Sequence, residues 1–159
     1  MVNNSRLKAD FYSYLGNSFH ELGEHEKSDE NYEKSLRLIP DNPLVLNNFS
    51  YYLSLRSTKL ELAESYSKKS IELSPNEPNY FDTYGWILYK LERYSEAKIW
   101  LEKAVMLLPN SSVILEHYGD LLFKLNEKKE ALSLWKKAQE KGGESKWLNQ
   151  KVREGTLYE

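Results

Sequence analysis

Small residues recur in this chain at intervals of 34 or 35 positions, and this recurrence restricts the possible folds more than any other feature. Each of four successive segments carries one small residue in a first apolar stretch and two in a second. The three sets are Gly16, Ser50, Gly85 and Gly119; Ser28, Ala63, Ala97 and Ala131; and Ser35, Ser70, Ala104 and Ala138. Small residues on facing helices let the backbones approach closely, while larger apolar residues fill the remaining space. The recurrence therefore predicts a stack of closely packed helix pairs.

Each segment contains two stretches with the periodicity of an amphipathic helix. In the third segment the apolar positions are Phe81, Tyr84, Leu88 and Leu91, followed by Tyr94, Ala97, Leu101, Ala104 and Leu108. Steps of three and four residues place each set on one face of a helix, and neither set alternates as a strand would. Pro109 ends the second stretch, because proline lacks an N–H and clashes with the preceding turn. One such pair cannot bury its own apolar face, so neighbouring pairs must cover it.

The spacing and the residue types resemble those of the tetratricopeptide-repeat (TPR) family, whose signature spans 34 residues. The first and third segments follow that signature at Tyr12, Leu15, Gly16, Phe19, Ser28, Tyr32, Ser35 and Pro40, and at Phe81, Tyr84, Gly85, Leu88, Ala97, Leu101, Ala104 and Pro109. The second segment departs from it, with Ser50 for the glycine and one extra residue around positions 56–59. In the fourth, Gly142 and Gly143 replace the final proline. The run LEHYGDLLFKLNEKKEALSLWKKA and the closing LYE also resemble the C-terminal region of long bacterial, Bacteroidetes-like TPR proteins.

The resemblance implies an all-α protein: a right-handed TPR superhelix, or α-solenoid, of four helix-turn-helix repeats plus a C-terminal capping helix. We expect one domain over residues 1–159. The expected repeats cover about 9–42, 43–77, 78–111 and 112–143, and the capping helix covers about 145–154. In that helix Trp147, Leu148 and Val152 form an apolar stripe that would cover the last repeat. Its polar residues, Lys151 among them, are expected to face elsewhere.

Two helix starts have a sequence signal of their own. Asn4 or Ser5 is expected to cap a first helix that begins at about Arg6, because both side chains can accept a bond from a free backbone N–H. Thr58 and Glu61 have the spacing of a capping box and are expected to begin the fourth helix.

Composition excludes several classes of function. The net charge of −2 argues against general nucleic-acid binding, which needs a basic face. The absence of cysteine excludes disulfides, thiolate metal sites and a cysteine nucleophile. No apolar run approaches the roughly 18–20 residues that span a bilayer, and the polar start MVNNSRLKAD lacks a signal-peptide core. We expect a soluble chain, cytoplasmic by default, or periplasmic if a longer parent carries a signal segment.

No constellation of residues indicates catalysis. His20, His25 and His117 lie in different repeats, and none has the spacing of a metal site. His117 is expected at the surface or in the groove. The chain has no glycine-rich phosphate loop and no nucleophile elbow. We therefore expect a non-catalytic protein with no catalytic residue, no metal site and no cofactor.

The TPR resemblance implies a concave groove lined by the first helix of each repeat. The candidate groove residues carried over from the family positions are Asn17, Asn47, Tyr51, Asp82, Trp86, Tyr89, Lys90, Glu116, Asp120, Phe123 and Lys124. Aromatic side chains supply rigid contact area at interfaces, and acids outnumber lysines at these positions. The groove is therefore predicted to be aromatic and mildly acidic. It would bind a peptide or partner protein with apolar anchors and a basic residue.

Alternatives to peptide binding remain open. The groove aromatics could pack between adjacent helices, with the acids forming a solvated face. The chain could also be the structural C-terminal end of a longer TPR array that self-associates through the apolar face of its first helix, at Leu7, Phe11 and Tyr14. Capture of acidic chaperone tails is not expected, because the family's carboxylate-clamp positions hold no lysine or arginine here.

Overall fold

The computed structural model describes residues 2–159, with side chains from residue 4, and within that range it contains nine α-helices and no strand. The helices are α1 (Val2–Glu21), α2 (His25–Leu38), α3 (Pro43–Leu55), α4 (Leu60–Leu73), α5 (Pro78–Lys90), α6 (Tyr94–Leu107), α7 (Ser112–Lys124), α8 (Lys128–Glu140) and α9 (Leu148–Glu154). The predicted all-α class is confirmed. None of the helices in residues 2–159 has both the length and the apolar character needed to cross a bilayer.

The chain divides into two compact units, Met1–Asn76 and Glu77–Glu159. In the first unit α1 packs on α2, α3 packs on α4, and α2 contacts α3. In the second unit the pairs are α5 with α6 and α7 with α8, while α7 contacts both α5 and α6, and α9 packs on α8. Each unit therefore holds two of the predicted helix pairs. The expectation of one domain over the whole chain stays a prediction.

Close helix approach explains the recurring small residues. A Cβ atom added to Gly85 would lie 2.7 Å from the Cγ atom of Leu101, and one added to Gly119 would lie 2.6 Å from the Trp135 ring. In the first unit, serines occupy the second and third small positions of the first repeat. Ser28 Oγ donates to the Gly16 carbonyl and Ser35 Oγ to the Ala9 carbonyl, both at 2.8 Å. The first repeat thus joins its two helices by hydrogen bonds as well as by packing.

Two predicted helix starts are wrong. Helix α1 already begins at Val2, so Asn4 and Ser5 lie inside it and cannot be its caps. At α4 the residue before the helix is Lys59, in the left-handed region with φ 47°, and no side chain caps the helix. Thr58 therefore lies one residue before the cap position that the capping box required.

The C-terminal helix is shorter than predicted. Helix α9 begins at Leu148 rather than near residue 145, and it ends at Glu154 as expected. Gly155 follows in the left-handed region, with φ 62°, and its N–H bonds to the Lys151 carbonyl. The chain therefore turns sharply at Gly155.

Candidate functional site

In the first unit the three candidate groove residues come from α1 and α3. Asn17 accepts a hydrogen bond from the Tyr32 hydroxyl, so its side chain joins α1 to α2. Asn47 is buried; its amide nitrogen lies 3.4 Å from Asn48 Oδ1, and its own oxygen has no hydrogen-bond partner. Tyr51 is half-buried, with its ring 6.1 Å from that of Tyr52. This part of the candidate groove is polar and carries no charged side chain among the three.

The second unit brings its aromatic candidates together in one stack. The Trp86 ring lies 4.7 Å from Tyr89 on the same helix and 4.1 Å from His117 on α7, and both pairs are nearly parallel. Lys90 Nζ lies 4.8 Å from the Trp86 ring centroid. Trp86 and Tyr89 are buried, and Trp86 Nε1 has no hydrogen-bond partner. These rings pack between α5 and α7, as the alternative reading of the aromatics expected.

Phe123 lies apart from this stack. Its ring stacks on Trp135 of α8 with centroids 5.6 Å apart, and Lys128 Nζ lies 5.4 Å from its centroid. Phe123 is half-buried, whereas Lys124, the next residue, is exposed. Phe123 and Lys124, although adjacent in the last turn of α7, therefore lie in different surroundings: Phe123 packs on α8, and Lys124 is exposed.

The three candidate groove carboxylates of the second unit, Asp82, Glu116 and Asp120, are buried, so the idea that they form a solvated face is wrong there. Both Asp82 oxygens lie 3.0 Å from His117 Nδ1. His117 is itself buried, so its expected place at the surface is also corrected. Burial opposes protonation of the imidazole, but Asp82 outweighs it and raises the pKa of His117.

Glu116 and Asp120 share a cation that was predicted to face elsewhere. Lys151 of α9 is only 3 % exposed, and its Nζ lies 2.9 Å from Glu116 Oε1 and 2.7 Å from Asp120 Oδ2. Lys151 follows the buried Leu148 by three residues, so both occupy one face of α9. Desolvation raises the pKa of Asp120 to about 6, although the Lys151 ammonium group favours the ionised carboxylate. The sequence signal was present: two acids four residues apart on α7 need a cation if they are buried.

Other polar groups complete this buried cluster. Trp135 Nε1 donates to Asp120 Oδ1 at 2.8 Å, and Ser145 Oγ donates to Glu116 Oε1 at 2.6 Å. Because hydrogen bonds and Lys151 compensate these carboxylates, the face of α7 is much less acidic than its sequence indicates.

The residues after α9 return to the candidate groove residues of α5 and α7. We call residues 155–159 the C-terminal segment. Leu157 packs against the buried cluster around Trp135 and Leu148. The Glu159 carboxylate accepts hydrogen bonds from the Tyr89 hydroxyl and, at 3.1 Å, from Lys124 Nζ. Burial opposes ionisation of Glu159, but these two donors outweigh it and lower its pKa.

Two segments of this chain match a known family profile. The family profile described as tetratricopeptide repeat matches residues 9–42 and 79–111. The TPR repeat-containing protein PA4667 of Pseudomonas aeruginosa is 34 % identical over 73 residues, which is 43 % of this chain and 12 % of that protein. The chain therefore spans about an eighth of the length of this relative.

Solved structures show the same fold. PilF of Pseudomonas aeruginosa superimposes with a TM-score of 0.73 and 23 % identity, covering 93 % of this chain and 71 % of that one. The first TPR domain of Spaghetti (RPAP3), solved with the HSP90 peptide SRMEEVD, gives a TM-score of 0.69 and 22 % identity, covering 76 % and 95 %.

Two segments of this chain, residues 9–42 and 79–111, match the tetratricopeptide-repeat profile, and the chain has the all-α superhelical fold of solved TPR structures. As a class, TPR domains are protein–protein interaction modules and non-catalytic scaffolds. The finer likeness to Bacteroidetes-like proteins stays a prediction.

Proposed function

We propose that this chain binds a peptide or a partner protein through the first helices of its repeats. The observation that carries the proposal is the C-terminal segment, whose Glu159 carboxylate is held by Tyr89 and Lys124. Both residues lie at positions that line the groove in the TPR family. A surface that holds one short segment through an aromatic hydroxyl and an ammonium group has the donors to hold another.

The proposed contact residues differ between the units. In the second unit Tyr89, Lys90 and Lys124 carry the binding, and Trp86 fixes the stack beneath them. In the first unit Asn17, Asn47 and Tyr51 supply amide and aromatic contacts. Asp82, Glu116 and Asp120 act by shaping the surface, because their charges are engaged by His117 and Lys151.

The family's carboxylate clamp is not the proposed mode. His117 occupies one of the clamp positions and gains cationic character from Asp82, but its Nδ1 is held by that carboxylate. Tyr89 and Lys124 lie at other family positions. A ligand bound through them is therefore expected to dock differently from an acidic chaperone tail in the clamp.

A random phage-displayed library of 12-residue peptides, selected on the immobilised chain, tests the proposal. We expect selected peptides to bind in fluorescence anisotropy and to lose at least tenfold in affinity on Lys124→Ala. Lys98→Ala is the matched control, because Lys98 pairs with Glu127 at 2.8 Å and is as exposed as Lys124, at 33 % against 32 %. Failure to select any binding peptide, or equal losses in both variants, would contradict the proposal.

A second candidate function is supported by the first helix. Leu7, Phe11 and Tyr14 follow one face of α1 and are 69 %, 58 % and 69 % exposed. Such a stripe suits the end of a longer array that assembles through α1. Light scattering would favour this candidate if the chain dimerises and Phe11→Lys restores the monomer. A monomer at all concentrations would count against it.

A further inference from the structure

The C-terminal segment is built like a ligand of the second unit. Gly155 ends α9 and reverses the chain, Leu157 supplies an apolar contact, and Glu159 supplies a charged one two residues later. An apolar anchor followed by a charged anchor is a common pattern in peptide recognition. Tyr158, the one residue between the two anchors, is half-buried.

The surface beneath the segment selects for negative charge. Lys124 bonds to the Glu159 carboxylate, and the charge of Lys90 also lowers the pKa of Glu159. Asp120, whose charge reaches the Tyr89 hydroxyl, is engaged by Lys151. An incoming carboxylate therefore meets two lysines and a tyrosine hydroxyl. This reverses the charge preference that the sequence alone indicated.

Solvent reaches the charged anchor of the segment. Its ion pair is partly exposed, with side-chain exposures of 32 % for Lys124 and 37 % for Glu159. Partly exposed ion pairs contribute little, because solvent screens them. The tether nevertheless keeps the segment at an effective concentration on the order of millimolar. An external peptide must therefore compete with it.

We propose that the C-terminal segment is a built-in competitor, and that the external ligand it excludes is an acidic peptide with an apolar residue two positions before its acid. This inference rests on the proposed peptide-binding function. It adds the chemical class of the ligand and a reason why the intact chain would bind that ligand weakly.

The probe is a fluorescein-labelled peptide with the sequence of residues 154–159, EGTLYE, added to the 159-residue chain and its variants. Glu159→Gln removes the charged anchor at a partly exposed position, and Leu157→Ser/Glu159→Gln removes both anchors. We expect the double variant to bind at least tenfold more tightly than the wild type, with Glu159→Gln between them. Adding Lys124→Ala to the double variant should abolish the gain, whereas adding Lys98→Ala should preserve it.

Several outcomes would overturn the inference. Equal affinity for the wild type and the double variant would show that the segment does not compete. A probe in which glutamine replaces the last glutamate should bind at least tenfold more weakly. Equal binding of the two probes would show that the ligand need not be acidic. A wild-type dimer that Glu159→Gln converts to a monomer would make the occupant the segment of a second copy.

The outcomes also separate this inference from the proposed function. If library-selected peptides bind the wild type and the double variant equally well, the proposal of peptide binding is retained and the proposal that the C-terminal segment competes is rejected. If no peptide binds either protein, both proposals fail. Circular dichroism of each variant distinguishes lost binding from lost folding.

Discussion

The two units of this protein share a helix-pair plan but use polar groups differently. The buried polar side chains of the first unit are serines and asparagines, and its two interhelical serines donate to backbone carbonyls. The second unit buries ionisable groups instead, with Lys151 held between Glu116 and Asp120. One helix-pair pattern can therefore satisfy its buried polar groups either by neutral hydrogen bonds or by compensated charges.

The consequences for stability differ as well. Neutral side-chain hydrogen bonds contribute modestly, and losing one leaves a small penalty. A buried ion cluster is costly to break, because the remaining charges stay desolvated. The second unit should therefore be far more sensitive to single polar substitutions than the first. All four tryptophans, Trp86, Trp100, Trp135 and Trp147, lie in the second unit, so tryptophan fluorescence reports on it selectively.

The largest expected effect is that of Lys151→Ala. It leaves the carboxylates of Glu116 and Asp120 buried without their cation, and we expect a loss of about 3–5 kcal/mol in the free energy of unfolding. Urea titration followed by tryptophan fluorescence measures it. Lys141→Ala, at an exposed position, is the control and should leave the midpoint unchanged. A loss below about 1 kcal/mol would mean that the cluster is not a buried network.

Gly85→Ala should have the next largest effect. The added Cβ would lie 2.7 Å from Leu101 Cγ and 3.2 Å from the Leu101 backbone nitrogen, so α5 and α6 must separate. Overpacking of this kind costs roughly 1–3 kcal/mol. Ser50→Ala is the matched change, because Ser50 fills the same repeat position in the first unit and already has a Cβ. Equal losses in the two variants would contradict the close approach at Gly85.

Ser35→Ala tests the neutral bonding of the first unit. It removes the hydrogen bond to the Ala9 carbonyl, and we expect a loss of about 1 kcal/mol in the free energy of unfolding. Far-UV circular dichroism in urea measures it. Ser18→Ala, on the exposed side of α1, should cause no loss. If Ser35→Ala destabilises as much as Lys151→Ala, the contrast between the units disappears.

The smallest expected effect is a difference in pKa between His20 and His117. Burial lowers the pKa of His20 in the first unit, whereas Asp82 overcomes burial and raises that of His117 in the second. Proton NMR titration should place them on opposite sides of 6.5. The contribution of His117 to stability is complete below pH 6.5 and is lost as the pH rises through its higher folded-state pKa. His20 acts in the opposite sense, since its protonation on acidification opposes folding.

A variant links that pH dependence to its cause. Asp82→Asn removes the charge that stabilises the imidazolium, so the pKa of His117 should fall below that of the wild type while that of His20 stays unchanged. If the pKa of His117 does not change, Asp82 is not the group responsible for the shift.

Periodicity was sufficient to predict the helices. Steps of three and four residues, with the small residues at Gly16, Gly85 and Gly119, define the helix pairs and their close contacts. Helix starts were less predictable: the cap position of α4 is Lys59, in the left-handed region, and not Thr58. A cap depends on one residue, whereas a helix depends on many.

Family positions selected Tyr89 and Lys124 as candidates, and their role in binding stays a prediction. Nothing in the sequence indicated that Glu159 would bond to them. Such a contact depends on the reversal at Gly155, which no periodic pattern encodes. Lys151 was misjudged because charged residues are usually exposed, and its burial depends on two acids more than thirty residues away.

The most direct test compares two sets of amide chemical-shift changes in isotope-labelled protein. One set follows the Glu159→Gln substitution, and the other follows addition of the EGTLYE peptide to the Leu157→Ser/Glu159→Gln variant. If the segment and an external ligand share one surface, both sets should centre on Tyr89, Lys90 and Lys124. Peptide-induced changes confined to other helices, with these three unaffected, would contradict that shared surface.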